Sequence, residues 1–162
     1  MGKIQIVFFN INGTILNPKT NEISEKTIEA IRKLKNKGIK VCATTRLAPS
    51  YIQSLTELEF DAYVAFDGKF CYAENSLIFA QDSALDNGKS RSVEKILEFF
   101  QLHKDESLAF AAVDNDIEMF SPVGYIVAMK DATKKLKSIA HELCGSVYDD
   151  GIYHFLLNKF II

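Results

Sequence analysis

The chain of 162 residues has only three cysteines, Cys42, Cys71 and Cys144, and they lie far apart. An odd number without close spacing excludes a disulfide framework and offers no zinc-ligand pattern. Cys42 sits inside an apolar run and reads as a small core residue. This sparing use of cysteine predicts a reducing, cytoplasmic setting. The three histidines, His103, His141 and His154, have no metal-ligand spacing and read as surface or helix-end residues. Charge of one sign is lacking too: 19 Lys and Arg stand against 21 Asp and Glu, for a formal net charge of −2. With no dense basic run, no nucleic-acid surface is expected. Lys33, Lys35 and Lys37 cluster, but at the C-terminal end of a predicted helix, where cations suit the helix dipole. No apolar run reaches the roughly 20 residues that cross a membrane. The run Ile4–Phe9 is too short for a signal-peptide core and lacks a cleavage site. Ile6 stands where myristoylation at Gly2 needs Ser or Thr. No membrane association is expected. Internal repeats and low-complexity segments are also missing.

What is present fits an ordinary globular protein: 48% hydrophobic and 25% charged residues. The length predicts a single domain over residues 1–162 with a sizeable core. The apolar run at about Lys3–Phe9 reads as a buried strand, followed by a loop over Asn10–Glu22. Ser24 caps a helix whose apolar face is Ile28, Ile31 and Leu34, and Gly38 ends it. Ile39–Ala43 is a second buried strand. Pro49 opens a short helix with Ile52 and Leu55 inward. Ala62–Phe66 is a third strand, and Asp67-Gly68 turns the chain. Phe70–Tyr72 and Leu77–Ala80 form a hairpin, with the polar segment Asp82–Gly88 after it. A helix over Ser90–Leu102 follows, then a strand at Leu108–Val113 and a short helix over Asp114–Phe120. A strand at Tyr125–Met129, a helix over Thr133–Leu143 and a helix over Gly151–Lys159 complete the chain.

Strands alternating with helices predict right-handed crossovers and a doubly wound, mostly parallel α/β sheet, with a β-hairpin inserted at about residues 69–80. Such sheets bind ligands at the C-terminal ends of their strands. The loops at Asn10, Thr44 and 111–115 all lie at such ends.

Four stations along the chain carry a resemblance. The first is Asn10-Ile11-Asn12-Gly13-Thr14 after the first strand. The second is Thr44, within Val41-Cys42-Ala43-Thr44-Thr45-Arg46. The third is Lys89, ahead of Ser90-Arg91-Ser92-Val93. The fourth is Asn115-Asp116-Ile117-Glu118-Met119. Their order and setting resemble the haloacid dehalogenase-like (HAD) superfamily, in its sugar-phosphate phosphatase (Cof-type) branch. The helix start Ile23-Ser24-Glu25-Lys26-Thr27-Ile28 is similar to that branch as well. The resemblance implies a Rossmannoid core and magnesium-dependent phosphomonoester hydrolysis. Phosphate would be held by Asn12, Gly13, Thr44 and Lys89. The metal would lie near Asn10, Asn12 and Asp116, with Asp114 and Asn115 as further candidates.

The chain departs from that family in four respects. The first motif normally reads Asp-x-Asp, but here holds Asn10 and Asn12. A motif-four aspartate is Ala112 in the direct register; a register shortened by two residues would put Asp114 there instead. Only Gln81–Gly88 separates the hairpin from Lys89, so the branch's large cap is expected to be absent. Thr45 also replaces a glycine usual in that segment.

An amide is a poor nucleophile and has no carboxyl proton to give. Magnesium prefers anionic oxygens in octahedral geometry, so its binding should be weakened. The anion donors, Thr44, Lys89 and the backbone N–H groups around Gly13, are retained. Three functional readings follow. One is a catalytically impaired phosphatase-like protein that binds phosphate or a phosphorylated ligand. The second is an active magnesium-dependent phosphomonoesterase using Asp114 and Asp116. The third is a non-catalytic interaction subunit. An uncapped site is also open to cover by a second copy, with the apolar hairpin as the contact piece; a hairpin packed on its own domain is the competing reading.

Overall fold

Every residue of the first strand but its last is buried, because its alternate side chains feed two separate cores. The computed structural model describes residues 1–81 and 88–162. The predicted polar segment 82–88 therefore lies almost wholly outside the described residues. In chain order the elements are β1 (Ile6–Asn10), β2 (Leu16–Asn17), β3 (Glu22–Ile23), α1 (Glu25–Asn36), β4 (Lys40–Thr44), α2 (Pro49–Leu55) and β5 (Ala62–Ala65). There follow β6 (Phe70–Ala73), β7 (Ser76–Ala80), α3 (Arg91–Phe99), β8 (Ser107–Ala111), α4 (Asn115–Met119) and β9 (Tyr125–Ala128). The chain closes with α5 (Lys134–Ile139), β10 (Glu142–Leu143) and α6 (Gly151–Asn158).

Among the described residues, eight strands form one sheet in the order β10-β9-β8-β1-β4-β5-β6-β7. The pairs from β10 through β5 are parallel, and the β6–β7 hairpin adds antiparallel strands at one edge. This is the mixed, mostly parallel α/β core that the element order predicts. No large cap domain is present among the described residues.

Val7, Phe9, Val41, Ala43 and Phe110 face one core with α1 and α6. Ile6, Phe8, Cys42, Val64 and Ala109 face the other, with Val93 and Ile96 of α3 and Leu136 of α5. Phe110 stacks on Phe9 at 5.6 Å and meets Phe155 edge-on at 5.6 Å. Burial pushes the Cys71 thiol up to about 11 and raises Cys42 well above its ordinary value. Both are neutral core residues.

Ser24 caps α1, its Oγ accepting from the Thr27 N–H at 3.1 Å. The same hydroxyl donates to Asp150 at the start of α6 at 2.6 Å, so one side chain joins the starts of two helices. The hairpin turns on Glu74 and Asn75, both with positive φ, a two-residue geometry that matches the twist of paired strands. Ile78 and Phe79 pack against the protein's own core, while Leu77 is exposed.

Two sequence expectations are corrected. The loop after β1 contains a small antiparallel ladder, Leu16 opposite Ile23 and Asn17 opposite Glu22, too short to show a period of two. The helix expected over residues 133–143 stops at Ile139. Ala140 is extended (φ −67°, ψ 149°), and His141 exchanges hydrogen bonds with Ile126: its N–H donates to the Ile126 carbonyl, and its Nδ1 accepts from the Ile126 N–H. That tertiary pairing brings β10 beside β9.

Phe110 touches both Phe9 and Phe155, so Phe110→Ala should cost about 3–5 kcal/mol. Urea unfolding followed by far-UV circular dichroism reads that loss as a lowered midpoint at an unchanged slope.

Candidate functional site

Strand order decides which loops meet. β1 lies between β4 and β8, and Asn10 is in register with Thr44 at the sheet's C-terminal edge. The loops leaving these three strands therefore converge. They frame a cavity of about 340 Å³ that Asn10, Asn12, Thr44, Asp67, Asn115 and Asp116 help to line.

Asp116 is the hub, only 4% exposed. Its Oδ2 accepts from the Ala112 N–H at 2.9 Å, the Val113 N–H at 3.1 Å and the Asn10 Nδ2 at 3.1 Å. Burial pushes its carboxyl above the ordinary value, the N–H groups of Ala112 and Val113 and the Asn10 amide pull it back, and the Asp67 charge adds to the rise.

A second network sits beside the first. Lys89 Nζ donates to Asn115 Oδ1 and lies 3.4 Å from Asp67 Oδ2. Asn115 Nδ2 donates to Asp67 Oδ1. Both partners of Lys89 line the cavity. Asp67 has positive φ (60°), as do Phe66 (51°) and Gly68 (94°). A Cβ at Gly68 would come within 3.0 Å of the Lys89 carbonyl oxygen, so this position accepts only glycine without movement.

The other expected residues divide. Thr44 is buried at the cavity wall, and Asn12 is exposed at its mouth. Gly13 has φ +77°, and a Cβ there would sit 3.7 Å from that of Ala112, so the first and fourth stations touch. Thr45 fits in place of glycine because its backbone is not left-handed; its Oγ1 accepts from the Leu47 N–H at 3.1 Å. Asp114 lines the rim, but its Oδ1 accepts from Thr133 Oγ1 at 2.5 Å.

The donors do not fit a magnesium ion. Among the described residues no three His, Cys, Asp or Glu side chains converge as a metal site. The Asn10 amide nitrogen and one oxygen of Asp116 are spent on each other, that oxygen is filled by further N–H groups, and Ala112 has no donor. Neutral amide oxygens and half a carboxylate are a poor set for a hard dication. Asn10, Asn12 and Asp116, the ligands that the sequence resemblance implies, therefore offer a cation one carboxylate between them, with Asp114 and Asn115 further along the cavity lining.

Comparison with known proteins bears on this geometry. Residues 7–87 and 83–156 match the family of haloacid dehalogenase-like hydrolases. The chain belongs to that family. This haloacid dehalogenase-like chain is 35% identical over 69 residues to phosphoglycolate phosphatase 1 of Saccharolobus solfataricus, covering 43% of this chain and 30% of that protein. It is 31% identical over 72 residues to the 5-amino-6-(5-phospho-D-ribitylamino)uracil phosphatase of Bacillus subtilis, covering 44% and 27%. The chain thus spans less than a third of the length of either relative. Its fold is similar to that of a HAD-superfamily phosphatase of Bacteroides thetaiotaomicron, with a TM-score of 0.88 over 99% of this chain and 96% of that one, at 17% identity.

Sequence reasoning missed Asp67, which read as a turn. It also left Arg46 without a role, although that side chain lines the cavity. An Asp-Gly pair is ordinary turn chemistry, and the signal that marks Asp67 as a site residue is spatial: its two partners come from the third and fourth stations.

The Asp116 carboxyl also predicts a pH effect. Its folded value is raised above 3.8, so the folded state binds more protons than the unfolded state in that window. Its contribution is fully present below about pH 3.8 and is lost as pH rises through the folded value. The stability of wild type relative to Asp116→Asn should therefore fall from acid pH toward neutrality, as urea unfolding of both proteins across pH would measure.

Proposed function

We propose that this chain binds phosphate or a phosphorylated small molecule in the pocket over Asn10, Asn12 and Thr44, and hydrolyses it poorly or not at all. One observation carries the reading: the side chain at the family's attacking position is an amide that donates to Asp116. A covalent phosphoryl route needs a carboxylate there. Asn12 has no carboxyl proton to deliver to a leaving oxygen, and Ala112 offers no side-chain ligand to a metal.

Support for binding comes from what remains. Thr44 supplies a hydroxyl at the cavity wall. The turn at Asn12-Gly13 supplies backbone N–H groups, and Lys89 supplies positive charge through its network with Asn115 and Asp67. The relatives named above are phosphatases of phosphorylated metabolites, which supports a ligand of that class. The reading in which Asp114 and Asp116 do chemistry fares worse, since one is bonded to Thr133 and the other to three N–H groups.

Turnover of a panel of sugar phosphates and nucleotides in excess magnesium tests this, with the Asn10→Asp/Asn12→Asp/Ala112→Asp variant alongside. Wild type should run at least about 10³-fold below the variant. The protein must be fresh and its mass verified, because Asn12-Gly13 is a sequence prone to deamidation. Wild-type turnover at an enzyme-like rate, roughly 1–10³ per second, would refute the reading.

A further inference from the structure

Asp67 is held where it is at a conformational cost. Phe66 and Asp67 are consecutive non-glycine residues in the left-handed region, which L side chains seldom occupy. The surroundings impose it. The Phe66 N–H donates to the Leu47 carbonyl at 3.1 Å, and the Asp67 N–H to the Thr45 carbonyl at 3.1 Å. Ser92 Oγ donates to the Gly68 carbonyl at 2.7 Å. The β5–β6 connection is thereby fixed between the loop after Thr44 and the segment carrying Lys89.

That fixation aims a carboxylate at an ammonium. Asp67 Oδ2 is 3.4 Å from Lys89 Nζ, and Asn115 bridges the two, donating to Asp67 and accepting from Lys89. Asn10, Asn12 and Ala112 are neutral, and Asp116 Oδ2 faces N–H donors. Among the described residues, Asp67 is therefore the carboxylate paired with the Lys89 ammonium. An anion seeking Lys89 meets Asp67 first.

We propose that Asp67 is a specificity-determining residue: an internal anion that occupies Lys89 and that a bound anion must displace. This rests on the anion-binding reading of the pocket. Such a residue penalises a ligand in proportion to its negative charge, so a singly charged phosphate ester is disfavoured less than a phosphate dianion. The neighbouring Asn115 amide lets Lys89 pass between Asp67 and a ligand without losing its other partner.

The test uses the full chain as wild type, Asp67→Asn, Lys89→Met and the Asp67→Asn/Lys89→Met double variant. Asn keeps an acceptor for Asn115 and tolerates left-handed backbone, so it changes the charge and little else. Two readouts are taken at low salt and pH 8. One is the affinity for inorganic phosphate by calorimetry. The other is the rate of Lys89 acetylation by an amine-reactive ester without ligand, read by peptide mass spectrometry. Asp67→Asn should tighten phosphate by about tenfold and speed Lys89 acetylation several-fold, while in the Lys89→Met background Asp67→Asn should give no tightening. Phosphate affinity unchanged within about twofold, or weakened, in Asp67→Asn would overturn the proposal and make Asp67 a support for Lys89. Binding to neither protein, with acetylation still faster in the variant, would overturn it differently: the Asp67–Lys89 pair would stand and the anion reading of the pocket would fall.

Discussion

A buried carboxylate requires donors, and one oxygen of Asp116 takes its donors from the ends of two of the three strands whose loops frame the pocket. Two N–H groups come from the turn after β8, and the third from Asn10 at the end of β1. The turn after β8 is thereby folded around its own α4, and β1 is tied to it at the sheet edge. Leaving such N–H groups unpaired in a buried position costs about 1–3 kcal/mol each. The centre of the cavity wall is therefore held by three hydrogen bonds to one oxygen. At the rim, Asn12, Arg46 and Asp114 are exposed.

The sheet makes that contact available. Central parallel strands must be apolar on both faces, since helices cover both. β1 meets this demand with Ile6, Val7, Phe8 and Phe9, all fully buried. The first polar residue is then forced to the strand's end, where the two cores stop and the loops begin. The same logic puts Thr44 at the end of β4 and Ala112 just past β8. Packing, rather than any interaction among the site residues, brings the ends of these strands together. The site residues then lock an arrangement that the cores have already brought within reach.

This explains what was legible in the sequence. The parallel core could be read, because buried strands and amphipathic helices such as α1 and α3 carry strong local patterns. The hairpin could be read from its apolar runs and short turn. The four stations could be placed in order, since each sits at the end of a legible element. What failed was short or non-local. β2 and β3 have two residues each, and β10 is made by the exchange between His141 and Ile126 rather than by propensity. Asp67 looked like a turn residue because its local sequence is a turn; its meaning comes from Lys89 and Asn115. The Asn10–Asp116 bond spans 106 positions, beyond any pattern of spacing.

The neutral residues of the site are consistent as a set. Asn10 Nδ2 lies 3.1 Å from Asp116 Oδ2. Two ionised carboxylates at such a distance would repel by about 5 kcal/mol at an effective dielectric near 20. A divalent cation would relieve that repulsion, and so would a shared proton or the loss of one charge. Asn10 takes the last route and turns the repulsion into a hydrogen bond with no change of side-chain shape. Once it has done so, a carboxylate at position 112 would have no cation to serve. It would also stand beside Gly13, where the backbone N–H groups offered to an anion would meet a fixed negative charge instead. Alanine there removes that conflict. Restoring a carboxylate at position 10 alone would add a charge beside Asp116 without a counter-ion, so on the proposed reading turnover returns only when positions 10, 12 and 112 are changed together.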